Sequence, residues 1–215
     1  MDIGTLFSDS KWRILAELSN GKLSPTELAK KTGTSLANIS TQLRLLEALE
    51  FVQKEDVANI TKGEARKRYS LKKEFGYLIL GSHTVMGKKM FNLDDDSLFF
   101  FKVWLINDRK APQVLIKLYT QFEELLRNVD SIGYLGIRGD ELEIVLINDS
   151  IDDLRFLNDK KLEWQERNYK IKAHLHTYHS FEQGINVQDE YFTSLLKKVF
   201  IITDKDQTLS NLKKR

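Results

Sequence analysis

Between residues 24 and 52 the chain reads SPTELAKKTGTSLANISTQLRLLEALEFV, and within it Ser35, Asn38, Thr41, Gln42 and Arg44 are short hydrogen-bonding or cationic groups spaced along one stretch. Such a set suits the edges of base pairs, because carboxamides pair with adenine, hydroxyls donate or accept, and a guanidinium reaches guanine or phosphate. Downstream, Lys62, Arg66, Lys67 and Arg68 form a basic run suited to phosphate oxygens. Two further sets carry different chemistry. Glu141 and Glu143 alternate, so a strand would aim both carboxylates to one side, where such a pair can hold magnesium against a phosphate. His174 and His176 would share a strand face with His179 just past its end, an approach to one metal ion. No Asp, Glu or Cys sits close by at a supporting spacing, so these histidines are read as packing residues and no metal site is expected.

The elements that must position the first set are legible in the local pattern. A first helix starts at Asp9 or Ser10, carries Trp12, Ile14, Leu15 and Leu18 at helical spacing, and stops at Asn20-Gly21. Ser24, Pro25 and Glu27 open a second helix with a capping box, and Ser35 caps a third that extends to about Ala48. Leu28 and Ala29 on one helix and Ile39, Leu43 and Leu46 on the next form buried stripes. Gly33 between them supplies a tight turn, which predicts a helix-turn-helix. Segments 51–56 and 66–71 then read as the two strands of a hairpin around a loop at 59–64. Alternation sends Tyr69 and Leu71 toward the helices and Arg66, Arg68 and Ser70 outward.

Residues 8–72 resemble the winged-helix DNA-binding domain of the ArsR-like or MarR-like transcriptional regulators. The resemblance is carried by Thr26-Glu27-Leu28-Ala29, Gly33, Ser35, Asn38-Ile39-Ser40, Gln42-Leu43, Leu46-Glu47, Phe51-Val52 and the basic strand ending Tyr69-Ser70-Leu71. It implies a reader of double-stranded DNA in which the third helix meets base edges and the hairpin is a wing on the phosphates. Two departures are evident. Glu50 stands where a glycine usually follows the recognition helix, which predicts a slightly different turn, and the family's cysteine metal-sensing motif is absent because the chain has no cysteine.

Composition bounds the remainder. Of the 215 residues, 41% are apolar, enough for real cores, and the net charge of +2 is uninformative as a whole. Residues 1–75 hold 13 Lys/Arg against 10 Asp/Glu, whereas residues 76–215 hold 20 against 21, so the N-terminal part is the better match to a polyanion. No apolar run reaches the roughly 18 residues of a membrane span and no basic leader precedes one, so a soluble, cytoplasmic protein is expected.

The fold class expected is α+β: a winged helix at 1–75, a helical connector and dimerisation region at 76–128, a small α/β sheet domain at 129–205 and a flexible tail at 206–215. Residues 75–80 read as a strand or a buried helical run, Asp94-Asp95-Asp96 as a capping cluster, and 98–106 as a buried helix. Strands are expected at 131–137, 142–147, 171–177 and 199–203, with helices at 152–159 and 187–197.

The stretch Leu135-Gly136-Ile137-Arg138-Gly139-Asp140-Glu141-Leu142-Glu143 resembles the nucleotidyltransferase motif, a Gly-Ser turn followed by an acid pair entering a strand. Ile137 replaces the serine, the glycine-to-acid interval is short, and His174 or His176 stands where a third carboxylate belongs, so this resemblance implies the fold without catalysis. There is no Walker loop, dinucleotide glycine fingerprint or serine elbow, hence no expected cofactor or catalytic residue. The sequence thus reads as a homodimeric, DNA-binding regulator whose C-terminal part dimerises or senses a small molecule or protein. Its rivals are a nucleotidyltransferase or antitoxin bearing a winged helix, and a winged-helix protein-interaction module.

Overall fold

Two helix starts in the N-terminal unit are fixed by the side chains that replace the bonds their first amides lack. A computed structural model describes residues 8–57 and 66–214, with only the backbone of Val57 and Arg66. Helix α1 is Asp9–Ser19, α2 is Pro25–Thr32 and α3 is Leu36–Ala48. At α2, Ser24 Oγ accepts from the Glu27 amide while Glu27 accepts from the Ser24 amide at 2.7 Å, a closed capping box with Pro25 in the first turn. Gly33 ends that helix at φ 67, and Ser35 Oγ accepts from the Asn38 amide to start α3. Ile14, Leu15, Leu18, Leu28, Ile39, Leu43 and Leu46 meet in one core, where each fully buried leucine contributes about 1.5–3 kcal/mol.

Strands β1 (Val52–Val57) and β2 (Arg66–Leu71) pair antiparallel, with Val52 opposite Leu71, and Leu23 joins the far side of β2 through two backbone bonds to Tyr69. Phe51, Val52 and Tyr69 close the helical core from the hairpin side. Glu50 corrects one expectation. It holds φ 60, the left-handed conformation a glycine would take, and its carboxylate accepts from Lys72 Nζ at 2.8 Å. The turn is therefore of the glycine kind, achieved by a residue that adopts it at a cost.

The chain divides into two units, Met1–Asn92 and Leu93–Arg215, which departs from the expected organisation. There is no continuous helical connector over 76–128. Residues Phe75–Gly81 and Met86–Asn92 form β3 and β4, an antiparallel ribbon belonging to the first unit, with Phe75 and Met90 packed on its core. Gly76, Gly81 and Gly87 and the lack of helical periodicity explain the ribbon. Helices α4 (Asp95–Trp104) and α5 (Ala111–Gln121) belong to the second unit, where Phe99, Val103, Val114, Leu115 and Leu118 are buried in its main core. Asp94 caps α4 by accepting from the Ser97 amide at 2.8 Å, and Asp96 pairs with Arg127 and accepts from the Tyr119 hydroxyl, so the acidic triplet serves a helix start.

The short α6 (Glu123–Leu126) leads into β5 (Ser131–Arg138), which turns at Gly139 into β6 (Glu141–Ile147). A 3-10 turn at Asp152–Asp159 precedes β7 (Lys161–Trp164) and β8 (Arg167–His176); α7 (Tyr178–Asn186), α8 (Glu190–Lys198), β9 (Phe200–Asp204) and α9 (Thr208–Lys213) complete the unit. The sheet order is β7-β8-β6-β5-β9, with β6 and β8 parallel. Leu142, Ile144 and Leu146 point to the α4 and α5 side, Val145 and Ile147 to the α7, α8 and α9 side.

The expected flexible tail at 206–215 is instead anchored through residue 214. Leu209 and Leu212 are buried, the Asp204 carboxylate accepts from the Leu209 and Ser210 amides, and Lys213 donates to the Val199 carbonyl.

Candidate nucleic-acid interface

The buried stripe of α3 dictates which residues face out. With Ile39, Leu43 and Leu46 inward, the 3.6-residue repeat turns Ala37, Thr41, Arg44 and Ala48 to the opposite side, and all four are exposed. Ser35 is exposed at the cap. Asn38 and Gln42 lie on the flank, half-buried, and bond in series: Gln42 Nε2 donates to Asn38 Oδ1 at 3.2 Å, and Asn38 Nδ2 donates to Thr34 Oγ1 at 3.0 Å. Thr41 Oγ1 donates to the Ala37 carbonyl, leaving lone pairs outward. Leu36 and Leu45 are also exposed beside this face, at 50% and 42%. Sequence reasoning passed over Leu45, although its exposed position beside Thr41 and Arg44 follows from the same helical repeat. Small and apolar groups there suit thymine methyls.

The wing adds cations on a second element. Lys67 and Arg68 on β2 are exposed, opposite Asp56 and Glu55 of β1, and Arg68 Nη2 lies 3.9 Å from Glu27 Oε1. At that distance and exposure the pair adds little to stability, so the guanidinium is available to a stronger anion. Arg44 and Lys67 make no ion pair among the described residues. Of the other expected contacts, Lys62 lies outside the described residues, and Arg66 is described by its backbone alone, as the first residue of β2.

Residues 7–59 match the MarR family. The matched stretch holds α1, α2, α3 and β1, so the helix-turn-helix and first wing strand fall inside the MarR segment and the basic strand β2 follows it. No curated protein matches the chain significantly.

Outside the MarR segment, the second unit gathers polar groups on one sheet face. The register sets Glu143 beside Lys172, Val145 beside His174 and Ile147 beside His176, and alternation points Glu143, Lys172 and both histidines to the α8 side. Glu143 is buried, accepts from Lys172 Nζ at 2.5 Å and lies 3.8 Å from Arg138. The Lys172 bond holds its carboxyl below the usual carboxylate range despite the opposing effect of burial.

Tyr191 of α8 bridges the histidines, its hydroxyl 2.8 Å from His174 Nδ1 and 3.1 Å from His176 Nε2. One hydroxyl proton serves only one of those nitrogens, so the other imidazole must donate. Burial pushes both imidazoles below their ordinary value of 6.5. His179 does not join the other two histidines but stands exposed on the first turn of α7; among the described residues no group of three His, Cys, Asp or Glu has metal-binding placement. Glu141 is offset along β6, 3.5 Å from Lys172. A pocket of about 590 Å³ opens over this face, lined by Leu135, Arg138, Glu143, His174, Glu190, Tyr191, Ser194, Leu195 and Lys198.

Proposed function

We propose that this chain is a transcriptional regulator that binds duplex DNA as a homodimer, with α3 in the major groove and the wing on the adjoining backbone. The observation that carries this reading is the outward face of α3 within the MarR segment: Ala37, Thr41 and Arg44 exposed on a helix held by a capped, fully packed neighbour. MarR-family regulators bind DNA, and the exposed cations of β2 supply the phosphate contacts that such docking needs. Asn38 and Gln42 read bases once their mutual bond is exchanged for base edges, with Ser35 at the helix start. Arg66, Lys67 and Arg68, with Lys62 from the loop, neutralise phosphates.

The second unit acts in dimerisation or in sensing a small molecule or protein, without catalysis. Glu143, which a metal-dependent transfer would need as a free ligand, is held by Lys172 and approached by Arg138, and this supports the regulatory reading. Incubation with labelled nucleoside triphosphates and magnesium is expected to give no transfer. Transfer abolished by Glu143→Ala would replace the regulator with the enzyme.

The function is tested by selecting bound fragments from genomic DNA with purified protein. Enrichment of a two-fold symmetric motif, with half-sites about 10 base pairs apart, is the expected result. Recovery no different from the input DNA would refute it.

A further inference from the structure

The polar network on the sheet of the second unit is left open where it meets the pocket under α8. His174 Nε2 is buried and makes no hydrogen bond among the described residues. Glu143 Oε1 lies 3.9 Å from it, beyond bonding distance, and Glu143 Oε2 has Arg138 Nε at 3.8 Å but no hydrogen bond. A buried polar atom without a partner is costly, so these two atoms mark where a ligand group is held.

The pocket has ends of opposite charge. Helix α8 crosses the sheet: near its start Tyr191 bonds the histidines of β8, and its end leads into β9 on the other side. Glu190 therefore lies at the β8 end. Lys198 lies at the β9 end, and Arg138 joins it there. The antiparallel pair Tyr134 and Phe200 carries the residues after Tyr134 and those before Phe200 the same way. Glu190 and Lys198 are about 12 Å apart along the helix. Between them stand Ser194 and the apolar Leu135 and Leu195. The side chains of Glu190, Ser194 and Lys198 make no hydrogen bond or ion pair among the described residues. The helix dipole accounts for an acid at the start of α8 and a lysine at its end, but not for a cavity between them or for the unpartnered imidazole nitrogen.

This pattern selects the charge of the ligand. A simple anion would meet the carboxylates of Glu143 and Glu190, and a simple cation would meet Arg138 and Lys198. A molecule with one charge of each sign at its two ends leaves neither end unpaired. The volume of about 590 Å³ lies in the range of sites for drug-sized molecules, more than one amino acid fills.

We propose that this pocket binds a short peptide of two or three residues with free termini, its carboxylate on Arg138 and Lys198, its ammonium on Glu190. Extended residues span about 3.3–3.6 Å each, so the peptide's charges stand about 7–10 Å apart and the Glu190 and Lys198 side chains cover the rest. A middle amide offers one donor and one acceptor, which match Glu143 Oε2 and His174 Nε2. The neighbouring Glu143 carboxylate favours the tautomer with the proton on Nε2, and in it the Tyr191 hydroxyl donates to His174 Nδ1 and accepts from His176. Leu135 and Leu195 suit an apolar side chain between the two ends.

The proposal rests on the sensing role of the second unit in the proposed function, and the test separates the two. Calorimetric titration of the full-length protein with the tripeptide Ala-Leu-Ala is expected to show binding at millimolar concentration or below. N-acetylation and C-terminal amidation each remove one charged end and should weaken binding at least about tenfold on the unaltered protein. The acetylation penalty should vanish in Glu190→Gln, and the amidation penalty in the double variant Arg138→Gln with Lys198→Gln. These side chains are exposed, so circular dichroism should not change. No heat from Ala-Leu-Ala at millimolar concentration, equal binding of the blocked peptides, or penalties that persist in the folded variants overturns the proposal. Duplex DNA binding, measured on the same protein, decides the regulator reading separately: DNA bound without the peptide sinks the pocket alone, and peptide bound without DNA sinks the regulator alone.

Discussion

The outward face of α3 and the polar face of the sheet in the second unit use similar residue types in opposite ways. On α3, Thr41 and Arg44 stand in solvent, and Arg44 has no ion-pair partner among the described residues. On the sheet, Glu143, Lys172, His174, His176 and Tyr191 are bound to one another across β6, β8 and α8. A surface whose polar groups are left open gains by meeting an external partner, whereas a network that closes on itself specifies packing and loses when a member is removed. Asn38 and Gln42 lie between these cases, bonded to each other on the flank of an otherwise open helix.

The largest effect that separates the two faces is expected on DNA. Replacing Arg44 and Arg68 together by alanine removes four cationic contacts per dimer, and affinity should fall about a thousandfold at 0.1 M salt with the thermal unfolding midpoint unchanged. An unfolding shift of comparable weight, in paired fluorescence anisotropy and calorimetry, would mean that these side chains serve the fold.

The converse holds for Tyr191→Phe. It leaves one imidazole nitrogen without its acceptor and the other without its donor, so the second unit should lose about 1–3 kcal/mol by denaturant titration while DNA affinity stays the same. An effect confined to DNA binding would dissolve the contrast.

Protonation probes the closed network a third way. His174 and His176 titrate below 6.5 in the fold and near 6.5 in the unfolded chain, so as pH falls below 6.5 the unfolded chain binds more protons. Their contribution is complete above that pH and is lost as pH drops through the lowered folded values. A second loss, from Glu143, belongs to the carboxylate range below 4.5. The variant carrying His174→Gln and His176→Gln should show a flatter stability profile just below 6.5 and keep the acid loss. An unchanged slope in that window would place the titration elsewhere.

The smallest effect is local to the first unit. Glu50→Gly removes a left-handed non-glycine residue and should stabilise that unit by about 0.5–1 kcal/mol, net of the exposed Lys72 pair, seen as a rise of a few degrees in its melting temperature. A fall would show that the Lys72 contact outweighs the strain.

The helix-turn-helix was legible because its signals are short-range: the Ser24-Pro25-Glu27 cap, the Gly33 turn and the stripes from Leu28 to Leu46 each act within a few residues. What the sequence hid depends on contacts far along the chain. Strand β7 and its turn went unseen because Gln165 and Glu166 hold φ 48 and 61 without the Asn-Gly signature that usually marks such a turn. Helices α4 and α5 were read as a connector because an apolar stripe does not name the surface that covers it, and here that surface is the sheet of the second unit. The polar cluster on β6 and β8 was half visible: the alternation of Glu141, Glu143, His174 and His176 could be read, but Tyr191 and Lys172 joined it only through parallel pairing and the packing of α8.

The central claim, that an open cationic face on α3 and the wing meets the DNA backbone, is tested most directly by the salt dependence of duplex binding. With about four phosphate contacts per subunit, the logarithm of the association constant should fall against the logarithm of salt concentration with a slope of about −7. A slope near zero, with the protein folded throughout, would contradict it.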